Sequence, residues 1–437
     1  DVPLGNIHIL KEASSIIDAE KDIDNNNGNN NEIQIIFLKK RHKGTSYLFT
    51  EIIYHKFSIK SNRTQSYRKN KQQRNKSSRI FSKQDMTQIL MVFPVLFVFS
   101  AAGHLTKESF YDKFQKKTEK GNRKTMKKIL VSGLNPAWQK TLIFPALQWG
   151  EVNRAAKAEC TASGKGINFA RAAKTWGKAD ALVLQFAGGI TGKLLTDVLD
   201  QEQIRHFTAV SEAKTRVCTT VISQNPHSVT ELIEPSATIP EETVRRLFQM
   251  AVKALPEADA LAVCGTYPPG VSQDFYTSLI GEASHAGKFV LLDSFMNVEQ
   301  SLQAGVSLLK VNLEEIFKLS GKADIFSAIG CCMERYPVKM IAVTAGPDNG
   351  YFFNGRELYQ LAPPKIGKVE NTIGAGDTCS SITLSEIVNG TDPMEAFLLG
   401  LSAASASCMT QVCAYYDKNT ALELRKTVRS PELIKNY

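Results

Sequence analysis

FVLLDSFMNVEQSLQAGVSLLKVN, residues 289–312, contains two apolar runs, FVLLDS and SLLKVN, that show no alternation of polar and apolar side chains. A strand with one wet face alternates, so runs this continuous predict strands covered on both faces. The same signature appears upstream in ILVSGL (129–134), ALVLQFAGG (181–189) and ALAVCG (260–265), and downstream in MIAVTAG (340–346). Between them lie helical patterns. In GINFARAAKTWG, Phe169, Ala172, Ala173 and Trp176 form one face, and Gly177 suits a helix stop. Further on, Asp392 stands before Pro393 and three residues before Glu395, the pattern of a capping box with proline at the first helical position, and the stripe Phe397, Leu401, Ala404, Cys408 follows. Strand and helix in alternation predict an α/β fold, a mainly parallel sheet with helices on both faces and sites at the carboxyl ends of its strands. Two segments break the rhythm, QKTLIFPALQWGEVNRAAKAEC (139–160) and TRVCTTVISQNPHSVTELIEP (215–235). They read as β-hairpins, and so as a small separate sheet able to cover a site.

The chain has 437 residues, 43% of them hydrophobic, enough for a sizeable core, and a formal charge of +10. That charge is not spread evenly. Residues 1–125 carry 23 Lys/Arg against 12 Asp/Glu, whereas 126–437 carry 30 against 31, so the basicity says nothing about what the larger part binds. The first part contains NNNGNNN (25–31) and the polar, basic run KSNRTQSYRKNKQQRNKSSR (60–79), which predict disorder and show no nucleic-acid recognition fold. Its apolar run QILMVFPVLFVFSAAG (88–103) imitates a secretory signal and is short of the ~20 residues that span a membrane. Met126, followed by KKILVSGLNP, looks like the opening of an independent protein, so residues 1–125 are expected to be an extension and 126–437 the working domain. All eight cysteines fall in that domain without a CxxC pair, as expected of reduced, buried thiols rather than disulfides or a zinc site.

Three constellations could carry chemistry. In NTIGAGDT (371–378), Gly374 and Gly376 allow tight backbone geometry; if a helix opens there, its N–H groups and dipole make an anion site. Asp377 would then be a carboxylate where negative charge gathers, which suits a general base for phosphoryl transfer, or else a helix cap beside a packing turn. SGKGIN (163–168) places Gly164, Gly166 and Asn168 with the charge of Lys165 at a helix start, and TRVCTT (215–220) adds Arg216, whose planar fork suits phosphate, although an exposed strand arginine is the commoner explanation. KVNLEE (310–315) ends a strand with Asn312 and Glu315 one helical turn apart, oxygen donors suited to Mg²⁺ or simply a solvated helix start.

In this order, with LNPA (134–137), GEVNRA (150–155), TELIEP (230–235) and CGTYPPGV (264–271), these motifs resemble the ribokinase-like sugar kinases of the PfkB family, from about Lys127 to about Ala414. Within it the chain looks most like the 1-phosphofructokinase and tagatose-6-phosphate kinase branch. The resemblance implies a ribokinase-like αβα sandwich with a small β lid, over about 138–160 and 215–235, through which such kinases often form homodimers. It implies cytoplasmic transfer from ATP with Mg²⁺ to a hydroxyl of fructose 1-phosphate or tagatose 6-phosphate, with Asp377 as base and the N–H groups of Gly374, Ala375 and Gly376 as an anion hole. By the same resemblance Glu315 serves the metal and Asn312 the nucleotide phosphates. Lys165 and Arg216 hold the sugar's phosphate, Gly164, Asn168 and Gln139 face its hydroxyls, and Thr344, Gly346 and the helix LGLSAASAS (399–407) lie near the nucleotide. Gln139 stands where the branch usually has an acid, Ser163 where it has glycine, Ile233 where it has asparagine, and GPDNG (346–350) is one residue longer than usual. These changes at the sugar end keep two other readings open, a kinase of an unphosphorylated sugar or nucleoside and a non-catalytic sensor. Neither membrane nor nucleic acid is an expected partner of the domain.

Overall fold

The structure, a computed structural model, describes residues 126–437 and, ahead of them, two three-residue strands, Gln34–Ile36 and Tyr54–Lys56, paired antiparallel. The low-complexity tract, the basic run and the apolar run of the sequence lie outside the described residues. Of two compact units, Asp1–Gly121 and Asn122–Tyr437, the second holds every element from Lys127 on.

Each of the quoted apolar runs is a strand: β1 (Lys127–Ser132), β4 (Ala179–Gly188), β8 (Ala260–Cys264), β9 (Phe289–Asp293), β10 (Leu308–Asn312) and β11 (Met340–Thr344). With β5 (Arg205–Ser211), β12 (Gly350–Phe353), β13 (Glu357–Leu361) and β14 (Glu432–Asn436) they form a ten-stranded sheet ordered β14-β13-β12-β11-β10-β9-β8-β1-β4-β5. All pairs from β11 to β5 are parallel, and the pairs from β11 to β14 are antiparallel. Side chains of the parallel strands alternate between two cores. Leu130, Leu261, Val263, Leu292, Leu309 and Val343 join one hydrophobic cluster, and Ile129, Val131, Ala262, Leu291, Leu308 and Ala342 join the other. Both faces are therefore dry, which is why these strands read as unbroken apolar runs.

The helices on one face include α3 (Glu241–Ala254), α4 (Asp274–His285), the short α5 (Glu299–Gln303), α6 (Leu313–Ser320) and α7 (Ile325–Arg335). The other face carries α1 (Lys165–Trp176), α2 (Gly189–Gln201), α8 (Ala375–Ile387) and α9 (Pro393–Ser407), with α10 (Lys418–Thr427) beyond α9. Helix α1 buries Phe169, Ala172, Ala173 and Trp176 and ends at Gly177 with φ 73°, whose N–H donates to Ala173 O. At α9 the cap is half of the expected box. The Asp392 carboxylate accepts from the N–H groups of Met394 and Glu395, but the Glu395 side chain turns to Arg425, 2.9 Å from Nε, because that guanidinium offers a charged partner.

The rhythm-breaking segments form a four-stranded sheet, β2 (Ala137–Phe144), β3 (Lys157–Ser163), β6 (Val217–Gln224) and β7 (His227–Ile233), ordered β3-β2-β6-β7. Its hairpins β2/β3 and β6/β7 are antiparallel, and β2 joins β6 in parallel. In the large sheet the chain runs outward from β1 to β4 and β5, then returns beside β1 at β8 and runs the other way. That reversal puts a crevice outside the carboxyl ends of β1 and β8. Among the described residues no helix is long and apolar enough to cross a membrane.

Candidate active site

Helix α8 opens over the carboxyl ends of β9 and β10. Its N-terminus is made by Gly374, at φ 81°, where a Cβ would stand 2.5 Å from Cys413 Sγ and 3.0 Å from Ala414 N. Only glycine meets both the left-handed backbone and the close neighbour. Of the first-turn donors, Ala375 N–H reaches Thr372 O at 3.3 Å, whereas the N–H groups of Gly374, Gly376 and Asp377 have no protein acceptor among the described residues. Three open donors at the positive end of a helix dipole form a cradle for an anion.

Asp377 lies in the first turn of α8, buried, with Oδ2 accepting from Asn168 Nδ2 at 2.8 Å. The orientation of that amide is fixed from behind. Asn168 Oδ1 accepts from Ser163 Oγ at 3.3 Å and from the Arg171 guanidinium at 3.4 Å, so Nδ2 must face the carboxylate. Ser163, the residue in place of a glycine, thus acts on Asp377 through Asn168. Burial raises the Asp377 carboxyl to about 6, although Lys165, the Asn168 bond and Lys310 pull it down while Asp293 pushes it up.

Beside it is an ion-pair chain that the sequence reading missed. Asp293, at the end of β9 and 1% exposed, accepts from Lys165 Nζ at 2.7 Å on Oδ1 and from Ser380 Oγ at 2.5 Å on Oδ2, with Lys310 Nζ 3.4 Å from Oδ2. Burial opposes its charge, but Lys165 and Lys310 hold the carboxyl well below the usual range. The signal was present in the sequence: LLDS and SLLKVN each carry one charge inside a run predicted to be dry on both faces. A buried charge needs a partner, and the partner had to be sought in another such run.

The remaining sequence-predicted residues are not all brought to Asp377. Gly164, at φ 123° and with a Cβ position 2.9 Å from Pro136 Cα, is the residue from which α1 starts, so it shapes the turn that presents Lys165 and Asn168. Lys165 directs its ammonium to Asp293, and its charge is kept by Asp293, Asp377 and Glu315 against the opposing effect of burial. Gln139 is buried in β2 and donates to Thr220 Oγ1 at 2.7 Å on the neighbouring β6, because a buried amide takes the nearest acceptor. Its donor therefore serves the small sheet. Arg216, at the root of β6, donates to Asn135 O at 3.1 Å, while its buried Nε has no partner; Asn135, Lys214 and Ser236 line the same pocket. Asn312 and Glu315, read as phosphate and metal ligands, form a complete capping box on α6: Glu315 N–H donates to Asn312 Oδ1 and Asn312 N–H to Glu315 Oε2, both at 2.8 Å. Glu315 keeps its second oxygen outside the cap. Thr344 is the cross-strand neighbour of Asn312, and Gly346 follows in the turn at φ 60°.

A buried carboxylate stands next to open N–H donors at a helix N-terminus, with Lys165 and Lys310 close by on Asp293 and the small sheet reaching it through Ser163 and Asn168. Against family models, residues 126–418 match "pfkB family carbohydrate kinase". Among solved structures, phosphofructokinase-2 of Escherichia coli in complex with fructose-6-phosphate superposes with a TM-score of 0.62 at 23% identity, over 69% of this chain and 99% of that one. The same enzyme in a tetrameric inhibited form gives 0.61 at 23%, over 69% and 99%. A Thermotoga maritima protein named "Possible 1-phosphofructokinase" gives 0.64 at 19%, over 70% and 100%.

Proposed function

The chain belongs to the pfkB family of carbohydrate kinases, and from that premise we propose that it moves the γ-phosphoryl group of ATP to a hydroxyl of fructose 1-phosphate or tagatose 6-phosphate, with Asp377 as general base. The observation that carries this reading is the Asp377 carboxyl, buried and raised to about 6, with one oxygen held by Asn168. It stays ionised near neutral pH yet is basic enough to accept the proton of a sugar hydroxyl. The N–H groups of Gly374, Gly376 and Asp377, which have no protein acceptor among the described residues, would hold the charge of the transferred group. Arg216, with an unpartnered Nε beside Lys214 and Asn135, is the anchor for the phosphate already on the sugar.

Magnesium, when bound with the nucleotide, would neutralise negative charge on the phosphates during transfer. Glu315 suits it. One of its oxygens is outside the cap, a donor that an ion keeping most of its waters could take.

An ADP-release screen against sugars and sugar phosphates tests the substrate, with the highest kcat/KM expected for one of the two hexose phosphates. Lys165 is already bound to Asp293, which favours a second reading, an unphosphorylated acceptor. Replacing Arg216 and Lys214 with alanine separates the two. A KM that rises at least about tenfold for the phosphosugar supports the phosphate anchor, and an unchanged KM supports the neutral sugar. Asp377→Asn is expected to lower kcat by about 10²- to 10⁴-fold with ATP affinity unchanged; near-normal turnover would remove the base assignment.

A further inference from the structure

Lys310 sits in the middle of the large sheet, 4% exposed, on a strand whose other inward residues are leucine and valine. An ammonium buried this deeply is expensive unless it is paired, and even paired it is often no more stable than a leucine would be. Its surroundings are specific. Asp293 Oδ2 lies 3.4 Å from Nζ, and Ser380, on the second turn of α8, bonds that same oxygen at 2.5 Å. On its other side is the backbone of the turn: a Cβ on Gly376 would stand 2.9 Å from Lys310 Nζ. A side chain at position 376 would have to displace the ammonium, so the charge lies against the first turn of α8, whose N–H groups are open.

We propose that Lys310, clamped by Asp293, is a positioning residue for the Gly374–Asp377 turn, supporting it from below and giving the anion cradle and the Asp377 carboxylate a fixed positive charge behind them. Its relevance to turnover rests on the kinase reading with Asp377 as base. The groups facing Asp377 are Lys165 from α1, Asp293 from β9, Lys310 from β10, and the thiols of Cys264 from β8 and Cys413 from the segment after α9. Those facing Lys310 are Asp293, Lys165, the Cys379 thiol of α8 and Glu315 of α6. Lys165 is tied to the other oxygen of Asp293, at the rim of the site, and is 37% exposed, so Lys310 is the cation that lies under the turn.

Lys310→Met in the full chain removes the charge and keeps an unbranched side chain of nearly the same length. The expected result is a kcat about tenfold or more below wild type, with KM for ATP and for the sugar phosphate held within about twofold. Difference infrared spectra of the carboxyl band, referenced to Asp377→Asn and recorded without sugar, should show Asp377 titrating about one pH unit higher, since a cation that favours its ionised form is gone. In Lys310→Met/Asp293→Asn both charges leave together, which also protects against a fold weakened by a buried anion that has lost one of its two cations. There Asp377 should titrate near its wild-type value while kcat stays low. The proposal is overturned if Lys310→Met leaves both kcat and the Asp377 titration unchanged, or if the double variant recovers wild-type turnover, because Lys310 would then only neutralise Asp293. A wild type that turns over no sugar phosphate sinks the substrate reading alone, and the infrared titration still decides the role of Lys310.

Discussion

At the scale of the residue, the proposed general base is one carboxyl whose environment is set by groups far away in sequence. Burial lifts Asp377 to about 6, and a general base works only when ionised. Activity should therefore rise as pH increases through about 6, the sign expected for a raised carboxyl that must lose its proton. A kcat profile measured at saturating substrates checks this, and an acid limb at the ordinary ~4 of a solvated carboxyl would contradict it. The Asn168 bond to Oδ2 favours the ionised form, so Asn168→Ala should push the same limb to higher pH as well as lowering kcat. A limb that stays in place would mean that this bond does not survive when substrate is bound.

At the scale of the element, one glycine decides whether α8 can begin where it does. Gly374 holds φ 81° against Cys413 Sγ and Ala414 N, so Gly374→Ala adds left-handed strain of about 1–2 kcal/mol and a collision with backbone. The urea midpoint should fall and turnover should fall with it, since the open N–H groups move with the turn. A variant as stable and as active as wild type would show that the cradle is not built this way. The capping motifs show why an element can be legible while its role is not. Asp392-x-x-Glu395 and Asn312-x-x-Glu315 have the same spacing, yet only the second closes a full box, because Glu395 finds Arg425 across from α10. Asn312→Ala should cost about 1 kcal/mol through α6, measurable by denaturant titration alongside any change in ATP KM. If only KM moves, the cap is secondary to the ligand role.

At the scale of the whole molecule, the small sheet leaves Leu232 and Ile233 of β7 at 55% and 58% exposure, apolar side chains on strands that water does not favour. We propose that the lid sheets of two copies cover each other, and that Leu232→Lys/Ile233→Lys lowers the mass seen by sedimentation. A wild-type chain that is monomeric at micromolar concentration overturns that proposal. The sequence by itself determined the layers. Runs such as ALAVCG and MIAVTAG admit no wet face, so a parallel sheet covered on both sides followed from local pattern, as did the hairpins of the small sheet and the GAGD turn. It did not reveal β5 and β12–β14, whose burial patterns at the sheet's edges are mixed. Tertiary structure alone decided the partners. Which amide faces Asp377, that Lys165 turns to Asp293, that Gln139 bonds Thr220, and that Lys310 lies under Gly376 depend on residues up to 209 positions apart. The reason is physical: apolar burial is a property of each residue and leaves its period in the sequence, whereas a buried polar group is defined by the partner that satisfies it, and that partner is supplied only when the strands and helices meet.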